Sequence, residues 1–450
     1  FLNKINMLKS ALLSLLLAIL LNSCNYLDIA PVGQVIPTKS TEYRALLNSA
    51  YSSFPRHKVL LNMRGTHYDP QDDPFGMGLD GFDMFKDIYT WNDSNPDYDK
   101  TQEYPYMSFY RVIFLTNEII TNGPKATQDG VESISQIIGE AYALRAYCYF
   151  ELANMYAVPY GNSTAASSMG VPVTTKIDVE QVFPKQSLES VYFQIISDME
   201  SALVHMDVEK VSGMDRFKFS LEALYAMQSR VYLYMGEWEK SAQSALRALE
   251  LGSELEDMND ASYRQVTHYL SKEAIMSLEY ISSIELRDYA AISYSLQSSY
   301  SSADLRPSKY FAESWFGYLI SDKLGSTNER VSFRRAEVYL NISEALAQLG
   351  RDDQAKEYLK TLMINRYTSA GYSAVLEKLN SLSGASLIDF ILEERERELA
   401  LEGHQWYDLR RTTQPQITKM VKGESYTLSK NDPRYTLQFP KSAREANPLL

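Results

Sequence analysis

Apolar residues recur every three to four positions over Phe109–Asn122, Ile134–Tyr156, Leu188–Met206, Phe219–Met235, Trp238–Leu251, Phe333–Leu349, Asp353–Arg366 and Leu387–Arg410. That spacing places them along one face of an α-helix and predicts a helix over each stretch. From Asn25 to about Tyr104 no such rhythm holds, and Pro31, Pro37, Pro55, Pro70, Pro74 and Pro96 interrupt any long helix, so this part is expected to be irregular. The chain reads as mainly α.

Two of the helix pairs repeat one another. Tyr225, Ser229, Gly236 and Ser241 precede Ala245 and Ala248 in the first; Tyr339, Ser343, Gly350 and Ala355 precede Leu359 and Leu362 at the same spacings in the second. Small residues let helices approach closely, and a glycine supplies the left-handed turn that ends one helix before the next. The pattern is similar to tetratricopeptide repeats of about 34 residues. Helices at 134–156 and 188–206 make an earlier, interrupted unit, and the helix from Leu387 opens a last one. Long insertions at 157–187 and 252–332 separate these units, and insertions of that length on a stacked scaffold are where binding is expected.

The first residues follow a different pattern. Lys4 and Lys9 precede an apolar stretch from Ala11 to Leu21 relieved only by Ser14, then Leu21-Asn22-Ser23-Cys24. The stretch is shorter than the roughly 20 residues needed to span a bilayer and has the form of an export signal. A cysteine after a small residue, with leucine three back, resembles the bacterial lipoprotein cleavage pattern. Cys24 is therefore the expected first residue of the mature protein and the site of fatty acylation (palmitate), 1–23 the signal peptide, and Met7 the expected start.

Composition narrows the function. With 44 Lys and Arg against 57 Asp and Glu, the net charge of −13 argues against nucleic acid, whose binding rests on clustered cations. Cys148, the other of the two cysteines, sits among Tyr147, Tyr149 and Phe150 and reads as a buried small hydrophobe. The 33 Tyr, 17 Phe and 4 Trp supply many flat faces for binding.

Catalytic and metal chemistry find little support. Glu394, Glu398 and Glu402 share one helix face, whereas a glycosidase pair flanks a cleft; Glu393 and Glu394 pair with Arg397 at helical spacing instead. His404 and Asp408, four apart, lack a third ligand in sequence. Asp69, Asp72, Asp73, Asp80, Asp83 and Asp87 invite calcium, but their spacing is not that of a calcium-binding loop, and a solvated acidic loop is expected. No cofactor is expected.

The last third of the chain is more specific. Arg335-Ala336-Glu337-Val338-Tyr339-Leu340, Ser343-Glu344-Ala345, Asn365-Arg366, Glu394-Arg395 and the run Glu398 to Arg411 containing Gly403-His404-Gln405-Trp406-Tyr407-Asp408 resemble the signature of the SusD/RagB family. Gly139-Glu140-Ala141, Leu144-Arg145-Ala146-Tyr147, Phe439-Pro440 and Cys24 with Leu27-Asp28 extend the resemblance over nearly the whole chain. It implies a single domain over 24–450, with an irregular segment at 25–105, helical repeats at 106–251 and 333–411 and a ligand-loop insertion at 252–332. It also implies a surface nutrient-binding lipoprotein of Bacteroidetes outer membranes that passes a glycan or other nutrient to a partner TonB-dependent (SusC-like) transporter, without catalysis. The acidic run that often follows the lipidated cysteine is reduced here to Asp28.

In this family the ligand platform is commonly built from loops in two regions that here carry Trp91, with Tyr89, Asn92 and Asp93 nearby, and Trp315, after Tyr294 and Tyr300. Trp91 and Trp315 are expected to face one another across an exposed pocket with Tyr300 or Tyr294 beside them. Two other readings remain: a repeat scaffold that binds peptides or organises an assembly, and a surface glycosidase.

Overall fold

The computed structural model describes residues 37–71, 82–93, 104–160, 167–177, 182–283, 286, 290–323 and 329–450. Cys24 and the signal segment lie outside them, as do Asp72, Asp73 and Asp80.

The region expected to be irregular carries helices α1 (Ser40–Ser52), α2 (His57–Arg64) and α3 (Asp83–Tyr89). The prolines had suggested otherwise, but Pro55 falls between α1 and α2 and Pro70 ends the short strand β1 (Tyr68–Pro70), so they punctuate the elements rather than forbid them. Next come α4 (Tyr106–Asn122), α5 (Ile134–Tyr156), α6 (Leu188–His205), α7 (Leu221–Met235) and α8 (Trp238–Leu251). Ser133, Ser187 and Ser220 start α5, α6 and α7 by accepting hydrogen bonds from backbone N–H groups of the first turn. After the long insertion follow α9 (Arg335–Gln348), α10 (Asp352–Met363), α11 (Ser369–Ser381), α12 (Ala385–Glu398) and α13 (Gln405–Arg411).

The helices stack in chain order, α4 on α5, α5 on α6, α7 on α8, α8 on α9 and α9 on α10, as a repeat scaffold does. Gly236 and Gly350 both end helices with positive φ, at 75° and 71°. Ala245, Ala248 and Ala355 are fully buried between helices. Ser241 Oγ donates to Ser229 O across the α7–α8 hairpin at 2.8 Å. Cys148 is a free, fully buried thiol.

The helix expected over Leu387–Arg410 is two helices, broken at Leu399–His404, where Leu401 and Gly403 have φ of 66° and 84°. Side chains from elsewhere take the backbone groups released by the break. Asn62 Nδ2 donates to Leu401 O, Gly403 N donates to Asn62 Oδ1, and Lys323 Nζ donates to Ala400 O. Strands occur as antiparallel pairs. β1 pairs with β5 (Ala290–Ile292), β2 (Met169–Pro172) with β3 (Lys185–Ser187), β4 (Ala274–Met276) with β8 (Phe333–Arg334), β6 (Phe311–Glu313) with β7 (Leu319–Ser321), and β9 (Ile417–Val421) with β10 (Glu424–Leu428).

Candidate ligand cleft

Strand β1, residues of α12 and α13 on either side of the break, and strand β9 surround a cleft of about 810 Å³. Its wall includes Thr66, Asp69, Ser295, Glu396, Gln405 and Lys419. Gln405, opening α13, ties two walls together: its Oε1 accepts from Thr66 N at 2.8 Å, and its Nε2 donates to Thr66 Oγ1 at 2.6 Å and to Glu396 Oε1 at 2.7 Å. Gly65 makes room for this amide, since a Cβ there would stand 2.2 Å from Gln405 Oε1. Burial works against ionisation of Glu396, but hydrogen bonds from His67 and Gln405 outweigh it and hold the carboxyl below its ordinary value. Asp69 is pushed upward by burial. Lys419 Nζ donates to Met63 O, Arg64 O and Tyr89 O at 3.0 to 3.1 Å; burial first, and the nearby Arg64 charge second, press its pKa well down.

The expected aromatic platform is only partly present. Trp91 is 1% exposed, its indole N–H donates to Arg64 O at 3.1 Å, and the Lys419 ammonium lies 4.5 Å from the ring centroid. With its edge and a face both occupied, Trp91 is a core residue that cannot stack on a ligand, and the facing Trp91–Trp315 pocket does not form. Its φ of 57°, unusual for so large a side chain, turns the indole inward. Tyr300 is half-buried: its hydroxyl donates to Arg397 O at 2.8 Å and its ring meets Phe311 edge-on. Trp315, by contrast, is wholly exposed on the β6–β7 turn, and Tyr294 is 79% exposed just after β5. Since β7 packs beside β5, the two exposed rings project from adjoining ribbons, and Ser295 next to Tyr294 lines the cleft.

The carboxylates of Glu394 and Glu398 on α12 and of Glu402 lie elsewhere, inside the protein, and because Glu402 falls in the break the three do not share one helix face. Glu394, Glu398 and Glu402 have no solvent exposure. Glu394 accepts from Arg306 at 2.7 Å, Glu398 from Arg334 and Arg366 at 2.8 and 2.9 Å, and Glu402 from Lys323 at 2.7 Å. Arg397 pairs with Glu394 at 3.0 Å and with Glu393 at 3.8 Å. Asp408 is held by Arg395 and Arg411, and His404 is buried. Of the acidic stretch, Asp83 faces Lys422 and Asp87 accepts from Asn92. Among the described residues no three His, Cys, Asp or Glu are grouped to hold a metal.

Known proteins share both this architecture and its sequence. Residues 272–449 match the family model described as SusD family, and residues 26–233 match one described as starch-binding, associating with outer membrane. The chain belongs to the SusD/RagB family. Among its SusD-like relatives are protein P38 of Formosa agariphila, 24% identical over 69% of this chain and 72% of that protein, and protein P2 of the same organism, 22% identical over 88% and 89%. A SusD superfamily structure from Bacteroides fragilis superposes with a TM-score of 0.74 at 21% identity, covering 92% of this chain and all of that one. A laminarin-binding SusD-like protein superposes with a TM-score of 0.61 at 20% identity, covering 83% and 92%. These likenesses establish the SusD fold for the stacked helices and their insertions.

The residues that frame the cleft were not singled out from sequence as lining it. Gln405 stands within the SusD signature, the one hint available; Thr66, Glu396 and Lys419 carry no local mark.

Proposed function

We propose that this SusD-family protein is a non-catalytic glycan-binding lipoprotein of the outer membrane. It holds an extracellular oligosaccharide in the 810 Å³ cleft and delivers it to a TonB-dependent transporter. The cleft carries this reading: it has the volume of a ligand site, a polar wall of amide, hydroxyl and carboxylate groups, and a lining residue, Ser295, next in sequence to the exposed Tyr294. Sugar hydroxyls meet the polar wall, and their C–H faces stack on Tyr294 and Trp315. The laminarin-binding relative and the starch-binding family description support a glycan as the ligand class. The buried, cation-paired state of Glu394, Glu398 and Glu402 supports binding without hydrolysis. Attachment through Cys24 and display at the cell surface follow from the signal pattern and from the family.

The test is calorimetric titration of the soluble protein against a panel of polysaccharides and peptides, with product analysis of the same mixtures. A glycan that binds unchanged, and loses roughly 1 kcal/mol of affinity on Tyr294→Ala or Trp315→Ala at unchanged melting temperature, supports the proposal. Glycan cleavage would favour a glycosidase. Binding of peptides alone would favour the scaffold reading, for which the groove of about 390 Å³ between α8 and α9–α10, with Leu246 exposed, is the place to look. Loss of fatty-acid labelling on Cys24→Ser tests the anchor separately.

A further inference from the structure

A second cavity, of about 400 Å³, lies between α4, the segment after strand β2 (Met169–Pro172) and the C-terminal helical turn Lys441–Ala446, and shares no lining residue with the glycan cleft. Helix α4 has two apolar stripes. Phe109, Val112, Ile113 and Thr116 are fully buried in the core. Met107, Tyr110, Arg111 and Phe114, at positions i, i+3, i+4 and i+7, form a separate stripe that lines the cavity. Tyr110 packs partly against the core, whereas Met107 is 55% exposed.

The polar groups of the walls are committed to building them. Tyr110 Oη donates to Pro172 O at 2.7 Å, Asn117 Nδ2 to Thr174 O at 3.1 Å, and Asn447 Nδ2 to Phe183 O at 2.8 Å. These bonds fix the opposing segments against α4 and leave rings and aliphatic groups as most of the lining. Two cations complete it. Arg111 and Lys176 are exposed, and among the described residues neither side chain makes an ion pair or hydrogen bond. Elsewhere most guanidinium groups have partners, as Arg145 does with Asp198 and Arg230 with Glu337. Aromatic rings beside two cations that have no partner among the described residues suit a ligand with an apolar ring face and a negative charge.

We propose that this cavity binds a six-membered ring bearing a carboxylate, its face against Tyr110 and Phe114 and its carboxylate held by Arg111 and Lys176. A uronate within an oligosaccharide and an aromatic carboxylic acid share this chemistry. The site is independent of the glycan reading of the other cleft.

The experiment titrates the soluble protein at low salt with trigalacturonate and with vanillate, each beside an uncharged counterpart, a neutral trisaccharide and methyl vanillate. At least one acid should bind, about tenfold or more tighter than its neutral partner, and weaken as salt rises. Which acid binds identifies the source. Arg111→Ala combined with Lys176→Ala should remove that preference without lowering the melting temperature, because both side chains are exposed. Met107→Glu, which brings a negative charge to the rim, should weaken the acid further, and Tyr294→Ala in the other cleft should leave it unchanged. Binding of neither acid, equal binding of acid and neutral partner, or full affinity in the double variant would overturn the proposal.

Discussion

The repeat helices and the insertion between them are held by packing and by buried charge in different proportions. Between α7, α8, α9 and α10 most joints are alanines, short hydroxyls and apolar side chains, with Ala245, Ala248, Ala355, Leu359 and Leu362 entirely buried, and two buried ion pairs, Arg230–Glu337 and Arg335–Glu222, add to them between α7 and α9. The 252–332 insertion is joined to the helices by long cationic side chains. Arg306 reaches Asp304, Glu394 and Glu398, and Lys323 reaches Glu402. Arg334, just beyond the insertion, links Glu273 within it to Glu398 and Glu402. Regular helices offer ridges and grooves that fit by shape. An irregular backbone offers none, and directional charge-assisted bonds fix it point by point. Burying such charges gives little net stability over apolar packing, yet removing one partner strands the others in a dry interior. The stack should therefore tolerate small changes that the insertion does not.

Glu398 is the sharpest place to break the comparison. Glu398→Ala leaves Arg306, Arg334 and Arg366 short of a shared carboxylate and should cost about 3–5 kcal/mol in chemical unfolding. Hydrogen exchange should rise first across 252–332; uniform loosening of both regions would contradict the distinction. Trp91→Ala should cost a similar ~3–5 kcal/mol, as expected for a buried aromatic, whereas Trp315→Ala should leave the melting temperature unchanged. An unchanged stability in Trp91→Ala would return Trp91 to the surface.

Acid should act through the same charges. Burial opposes ionisation of Glu398, but Arg366, Arg334 and Arg306 outweigh it and hold its carboxyl far below the ordinary value. Its stabilising contribution is full above the unfolded-chain value of about 4.3 and is lost as pH falls toward the folded value. At milder pH the helix break responds. Burial first, then the charges of Arg230 and Lys58, keep the His404 imidazole neutral well below its usual range. The unfolded chain binds that proton near pH 6.5 and the folded chain does not, so stability should already decline from about pH 6.5 downward. His404→Gln should flatten the melting temperature between about pH 7 and 5; an unchanged slope would remove His404 as the cause.

The smallest effect belongs to the stack. Gly350→Val places a branched side chain at a φ of 71° with no atom within 4 Å of the new Cβ, so only backbone strain opposes it. The expected loss is about 1–2 kcal/mol, and an unchanged melting temperature would mean the hairpin relaxes freely.

What was legible in the sequence follows the same division. Ile134–Tyr156 and Trp238–Leu251 begin and end where their periodicity does, because helix packing depends on neighbours three and four residues away. Trp91 was misplaced because an aromatic on a short connection looks alike whether it faces a ligand or a lysine. That lysine, Lys419, is more than 300 positions away. Helix α11, rich in serine with a glycine, shows little periodicity and was missed. The cleft was illegible for the reason the insertion is fragile: its joints are bonds such as Gln405 to Thr66, 339 positions apart.

Lys419 also imposes an order in time. Its ammonium closes on the carbonyls of Met63 and Arg64, 356 and 355 positions earlier. A chain still being synthesised thus carries the early half of its cleft long before the late half exists. No fragment ending ahead of β9 possesses the site, and the most distant pairings, which close the costliest loops, come last on the way to a protein that can bind.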